Sequence, residues 1–242
     1  MKLLIIILVI MLIFNGLGFG GYIRSGVYAS ADELVFSVKD TPYNQTFSYW
    51  VEKWFDWFLS FPVSPRENFS STVCSKNQNI DGEVWMLADA KSKGEIRECQ
   101  VPAGKALLVQ IVGSNCSTDE FETYPSDETL FKCAEWVLPE VTFSASIDGI
   151  EVMNTDNPGD KAKFYVEPFF TNLTYPQDNK YGATAGTFRG TEAGYFLFVK
   201  PLETGNHAVK FDEYVDKILP SGEHAQRISG VTYNLQIVNM TK

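Results

Sequence analysis

The chain has 242 residues, with 20 Lys and Arg against 30 Asp and Glu and a formal charge of −10, and no cluster of basic side chains appears along it. That balance excludes partners held through phosphate, both nucleic acid and anionic lipid headgroups. It suits solubility, a divalent cation or a basic partner.

Met1-Lys2 is followed by an uncharged apolar block from Leu3 to Phe14, the length of the hydrophobic region of a signal peptide. A small-residue cleavage pattern stands at Ala29-Ser30-Ala31, further downstream than usual because Asn15 to Tyr28 intervene. The competing reading takes Leu3 to Ile23, 21 residues, as one transmembrane helix able to cross a hydrocarbon core of about 30 Å, although four glycines and Asn15 weaken it. Residues 1–31 are therefore read as a signal peptide or an N-terminal membrane anchor, and residues 32–242 as a single translocated domain. Without Lys2 and Arg24 the domain keeps 18 basic and 30 acidic residues, a net charge of −12. Gly16, Gly18 and Gly21 match a dinucleotide-binding pattern, but inside this leader, with no strand before them and no acidic partner after, the match is coincidental.

From Phe47 to Phe61 the aromatic residues Phe47, Trp50, Trp54, Trp57 and Phe61 recur every three or four positions, with Glu52, Lys53, Asp56 and Ser60 between them. This spacing predicts an amphipathic helix, capped by Thr46 or Ser48 and stopped by Pro62 and Pro65, whose rings pack against a sheet. Beyond it the pattern changes to short apolar runs and period-two alternation: Val84 to Leu87, Ala106 to Val112, Val141 to Ile147, Ile150 to Met153, Phe164 to Val166, Tyr195 to Val199, Val209 to Phe211 and Val231 to Ile237. Asp148-Gly149 predicts a tight hairpin turn between the third and fourth of these. Asp127 to about Trp136 reads as a short helix, with Ser126 as cap and acidic residues in its first turn. Asn154 to Lys161 and Tyr175 to Gly186 read as exposed loops. The fold class is mainly β: an antiparallel β-sandwich, immunoglobulin-like or jelly-roll-like, with one aromatic N-terminal helix and one short disulfide-linked helix.

Cys74, Cys99, Cys116 and Cys133 are an even number in a chain read as exported, the pattern of disulfides. Zinc fits poorly, because no CxxC pair occurs and His207 and His224 are distant. Three connectivities are possible. The local one, Cys74 with Cys99 and Cys116 with Cys133, is the expectation, each loop contributing roughly 3 kcal/mol. Asn44, Asn68, Asn115, Asn172 and Asn239 each open an N-glycosylation triplet, a mild excess over chance.

Trp54-x-x-Trp57, then Cys74, the strand Val84-Trp85-Met86-Leu87-Ala88 and the run Arg97-Glu98-Cys99-Gln100-Val101-Pro102-Ala103-Gly104-Lys105-Ala106-Leu107 resemble a family of exported prokaryotic proteins with no assigned activity. The resemblance extends through Cys116 and Cys133 to Gly194-Tyr195-Phe196-Leu197-Phe198 and Val231-Thr232-Tyr233-Asn234-Leu235, about two thirds of the domain. It implies disulfides and a single domain, and supplies no catalytic residue. Just before Cys74 the chain departs from the family, with Glu67-Asn68-Phe69-Ser70-Ser71-Thr72 in place of a Pro-x-Asp-x-Thr-Gly-like stretch. The short segment Lys200 to His207 is similar to the turn before a late strand in immunoglobulin-like and fibronectin-like modules.

No nucleophile elbow, HExxH, phosphate loop or kinase signature occurs in the domain, and two histidines leave little imidazole chemistry. A hydrolase would have to use paired carboxylates. Asn154, Asp156 and Asp160 partly mimic a calcium loop, lacking its bidentate Glu. Calcium is the one cofactor to consider. Tyr124, Tyr175 and Tyr181 fall in predicted loops, where their rings could stack on a sugar. The expectation is an exported, non-catalytic binding or structural module of the cell envelope, with envelope polysaccharide or neighbouring surface proteins as partners and contact with membrane only through an uncleaved leader. The alternative is a carbohydrate-active hydrolase.

Overall fold

The computed structural model describes residues 30–61, 74–136, 138–179, 183–218 and 224–239. The leader up to residue 29, Asn68 and Tyr181 lie outside them. Among the described residues no helix is long and apolar enough to cross a membrane.

Ten strands form two sheets. The first contains β1 (Val35–Phe36), β2 (Val84–Leu87), β4 (Ala106–Ser117), β7 (Tyr165–Tyr175) and β8 (Gly186–Val199), in the order β1-β8-β4-β2 with β7 also paired to β8. The second runs β3 (Glu95–Pro102), β10 (His224–Val238), β9 (Gly205–Ile218), β5 (Val141–Ile147) and β6 (Ile150–Asn154). Inner faces of both contribute to one core, with Leu107, Val109, Leu197 and Val199 of the first sheet among Phe143, Phe211, Tyr233 and Leu235 of the second. Most pairings are antiparallel. Two are parallel, β2 with β4 and β3 with β10, so both sheets are mixed. The chain crosses from β2 to β3 in the other sheet before returning as β4, and such a return brings β4 in alongside β2 with the same direction.

Four α-helices lie wholly within the described residues: α1 (Ala31–Leu34), α2 (Phe47–Leu59), α3 (Asp127–Glu135) and α4 (Asp160–Phe164). Thr46 Oγ1 caps α2 by accepting the Tyr49 amide at 3.2 Å. The buried stripe of α2, Phe47, Val51, Trp54, Phe55 and Phe58, lies on the outward face of the first sheet against Met86, Leu108, Phe196 and Phe198. Trp54 stacks on Phe58 with ring centroids 4.5 Å apart and donates its indole N–H to the Leu87 carbonyl at 2.8 Å. The first sheet is therefore covered on both sides, which is why β2 and much of β4 and β8 are unbroken apolar runs. The second sheet keeps one face in solvent, and β5 alternates accordingly.

Cys74 is joined to Cys99, and Cys116 to Cys133, so the second bridge ties α3 to β4. Ser126 caps α3, accepting the Thr129 amide at 3.2 Å. The turn between β5 and β6 is a tight one, with Asp148 and Gly149 at φ of 51° and 81°.

Pattern reading overlooks β3. Its Ile96 is 72% exposed while Arg97, one residue on, is 4% exposed and faces the core. The guanidinium is accommodated there by the Ala88 carbonyl at 3.1 Å, the Tyr233 hydroxyl at 2.7 Å and the Glu95 carboxylate. The apolar residue outside and the charge inside invert the usual strand pattern. β7 to β10 run longer than the apolar segments marking them, because backbone pairing continues where side chains turn polar.

Replacing Trp54 tests how far the helix-on-sheet layer carries stability. Trp54→Ala is expected to cost about 3–5 kcal/mol in urea-induced unfolding. Trp54→Phe keeps a ring but removes the indole hydrogen bond to the Leu87 carbonyl, and is expected to cost about 1–3 kcal/mol.

Candidate functional site

The solvent face of the second sheet carries a broad concave surface. Register aligns three strands there: Glu98, Asn234 and Ala208 form one row, and Gln100, Gln236 and Asn206 the next. Asn234 Nδ2 donates to Glu98 at 2.7 Å, and Gln100 Nε2 donates to Gln236 at 3.1 Å. Ala208 is the small member of its row and lowers the floor. Asp148 closes one end, its Oδ1 accepting the Ala208 amide at 2.8 Å and its Oδ2 lying 2.7 Å from His207 Nδ1. The result is an open groove of about 800 Å³ with no Phe, Tyr or Trp in its lining.

Side-chain amides present a donor and an acceptor in one plane, and a carboxylate adds two acceptors. Rows of them on a rigid sheet suit a ligand rich in hydroxyl groups. The two carboxyls in the lining are Glu98, bonded to Asn234, and Asp148, bonded to the chain and to His207.

The buried carboxyls lie elsewhere. Glu192 on β8 is enclosed beneath α2, and its pKa is pushed well above the ordinary carboxylate value, first by burial and then by Glu52 and Asp56 of α2, with Lys53 opposing. Glu213 on β9 faces the interior, and its pKa is raised by burial and by Asp89 against the lowering pull of Arg227 and the Ser229 hydroxyl. Neither lines the groove.

The residues singled out from the sequence do not converge. Tyr124 is 73% exposed and stands beside Arg189, whose guanidinium lies 3.8 Å from the centre of the Phe170 ring, away from the groove. Tyr175 is not a loop residue. It ends β7 with 4% of its surface exposed, and burial pushes its hydroxyl up to about 12. Its ring has no free face for a sugar, because the alternation of β7 points it inward. Asn44, Asn172 and Asn239 are exposed. Asn115 Nδ2, the atom a glycan would be attached to, has almost no accessible surface, so in the folded domain that nitrogen is closed to covalent glycosylation.

Asn154, Asp156 and Asp160 sit together at the turn leading into α4, where Asn154 and Asp160 each turn a side-chain oxygen to the chain itself. Asp160 Oδ2 accepts the Asn154 amide at 2.8 Å, and Asn154 Oδ1 accepts the Asp156 amide at 2.9 Å. Among the described residues one trio of metal-type donors lies close together, Cys116, Glu120 and Cys133, and the disulfide occupies both of its sulfurs.

The groove residues Glu98, Gln100, Asn206, Asn234 and Gln236 carry no sequence motif. What joins them is register between strands far apart in the chain. Their one local signal is polar residues alternating with Cys99, Val101, Tyr233, Leu235 and Ile237.

No family model matches the chain, and no curated protein matches it. Among solved structures it is similar to a cysteine protease inhibitor, EhICP2, from Entamoeba histolytica, at 11% identity, over 63% of this chain and 97% of that one, with a TM-score of 0.21. A score of that size marks no shared fold.

Two measurements check this electrostatic description. Unfolded, Glu192 releases its proton near 4.5; folded, it holds the proton to higher pH. The folded state then binds more protons, so stability falls as pH rises above that value, by up to about 1.4 kcal/mol per pH unit for a single group. Glu192→Gln removes the penalty, so its stability relative to the wild type should increase as the pH rises above that value. Chelation by EDTA should leave the melting temperature unchanged, since the Asn154–Asp160 turn is closed by its own amides.

Proposed function

We propose that this chain is an exported, non-catalytic binding module of the cell envelope that holds a neutral, hydroxyl-rich polysaccharide along the groove on its second sheet. The observation that carries this reading is the pair of side-chain rows, Glu98–Asn234 and Gln100–Gln236–Asn206, flanking a floor lowered at Ala208. An open trough takes a polymer more readily than an enclosed small molecule, and amides on paired strands lose little freedom on binding. The two disulfides fit an oxidising compartment outside the cytoplasm. On this reading residues 1–31 direct the chain there, as a cleaved signal or a retained anchor, and glycans at Asn44, Asn172 and Asn239 stand clear of the groove lining.

The hydrolase alternative has less support. A glycosidase needs one carboxyl kept protonated and one ionised, both facing the scissile bond. The two with raised proton affinity, Glu192 and Glu213, are buried away from the groove.

Calorimetric titration of neutral envelope polysaccharide into the protein tests the reading. Saturating heats are expected, and Glu98→Ala with Asn234→Ala should weaken binding by roughly tenfold or more, about 1.4 kcal/mol. Absence of heat would leave a structural role, and sustained heat after each injection would establish turnover.

A further inference from the structure

A second polar cavity opens at the far side of β4. β2 accompanies β4 only from Ala106 to Val109, while β4 runs on to Ser117 and is interrupted by a bulge between Gln110 and Val112. Past that point no described strand pairs with the side of β4 that faces away from β8. The cavity of about 330 Å³ sits there, walled by Phe55 of α2, Asp89, Gln110, Gly113, Asn115 and Arg227 of β10. Bulges re-aim side chains at such places.

Buried polar atoms without a partner concentrate around this cavity. Asp89 Oδ1, Gln110 Nε2 and Asn115 Nδ2 belong to its walls, and none has a hydrogen-bond partner. Glu192 Oε2, opposite Asn115 in the β4–β8 ladder, and Glu213 Oε2, whose other oxygen takes Arg227 Nε at 2.9 Å, are likewise unpartnered. Folded proteins leave few such groups, and a cluster of them marks a missing partner. Gly113 adds a built feature. A Cβ there would stand 2.2 Å from Gln110 Nε2, so only glycine lets the Gln110 amide fold over the strand and keep the cavity open.

The walls select the chemistry of an occupant. Arg227 is fixed by Glu213 and by the Ala90 carbonyl at 2.9 Å, and its positive charge opposes a cation. Asp89 and Glu213 oppose an anion. Two primary amides, a carboxylate and a guanidinium complement the hydroxyl groups of a neutral ligand. We propose that this cavity binds a single neutral sugar ring, with the amides of Gln110 and Asn115, enclosed as they stand, turning about their side-chain bonds to meet its hydroxyls. The volume admits a single ring, and no wall residue lines the groove on the second sheet, so the site is distinct from that groove and does not depend on it.

The full-length protein, isotopically labelled, is titrated separately with glucose, galactose, mannose and N-acetylglucosamine, with glycerol as an acyclic control, and followed by NMR. At least one sugar should saturate and move the backbone amide signals of Gly113 and Asn115, while glycerol does not. Gly113→Ala, which drives the Gln110 amide into the cavity, and Asp89→Asn should each weaken binding by roughly tenfold or more. Glu98→Ala with Asn234→Ala should leave it unchanged. The site is refuted if no sugar saturates, which means ordered water alone serves the orphaned atoms, or if the shifts map to the groove. Wild-type affinity in a folded Asp89→Asn variant refutes it as well, and that variant decides the matter should Gly113→Ala not fold.

Discussion

Burial of the first sheet on both faces depends on the contact between α2 and the outward side chains of β2, β4 and β8. Phe47, Val51, Trp54, Phe55 and Phe58 give that helix a continuous apolar stripe, and Met86, Leu108, Phe196 and Phe198 meet it. The Trp54 indole adds a directional tie by bonding the carbonyl of Leu87, where β2 ends. Rings packed edge to face and stacked around Trp54 bury large areas with few rotatable bonds, so the layer is costly to open and inexpensive to order. Without it, three strands of nearly unbroken apolar sequence would face water.

The same covering layer explains where polar groups become expensive. Beneath the helix no solvent is left for Glu192, and the nearest charges are two carboxylates of α2 opposed by one lysine. Burial therefore sets its protonation. At the bulge in β4 the strand loses its neighbour β2, the side chains of Gln110 and Asn115 are drawn in, and their amide nitrogens are left without acceptors. Low dielectric makes each such atom costly, which is why their grouping around one cavity carries chemical meaning and isolated exposed polar residues do not.

The second sheet has the opposite circumstance. Its inner face completes the sandwich core, but among the described residues no helix covers its outer face, so alternate residues of β3, β10 and β9 are free to be polar and to form rows across three strands. Arg97 shows the limit of that freedom. It points inward and is tolerated because the Ala88 carbonyl, Tyr233 and Glu95 surround its guanidinium with acceptors. The disulfides hold the periphery, with Cys116–Cys133 fastening α3 to β4 and Cys74–Cys99 fastening the chain ahead of β2 to β3.

By itself the sequence determined what local periodicity and local chemistry can encode. The three-and-four spacing from Phe47 to Phe61, the caps at Thr46 and Ser126, the Asp148-Gly149 turn and the alternation of β5 are each written within about fifteen residues, because one face of one element decides them. Tertiary structure decided what depends on pairing between distant segments. The parallel register of β3 with β10 placed Glu98 beside Asn234, and crossing between sheets set β4 alongside β2. Covering by α2 enclosed Glu192, and the inward direction of β7 hid Tyr175. None of these is legible in one strand read alone, since a side chain's surroundings are supplied by distant neighbours, 136 residues away for Arg97 and Tyr233.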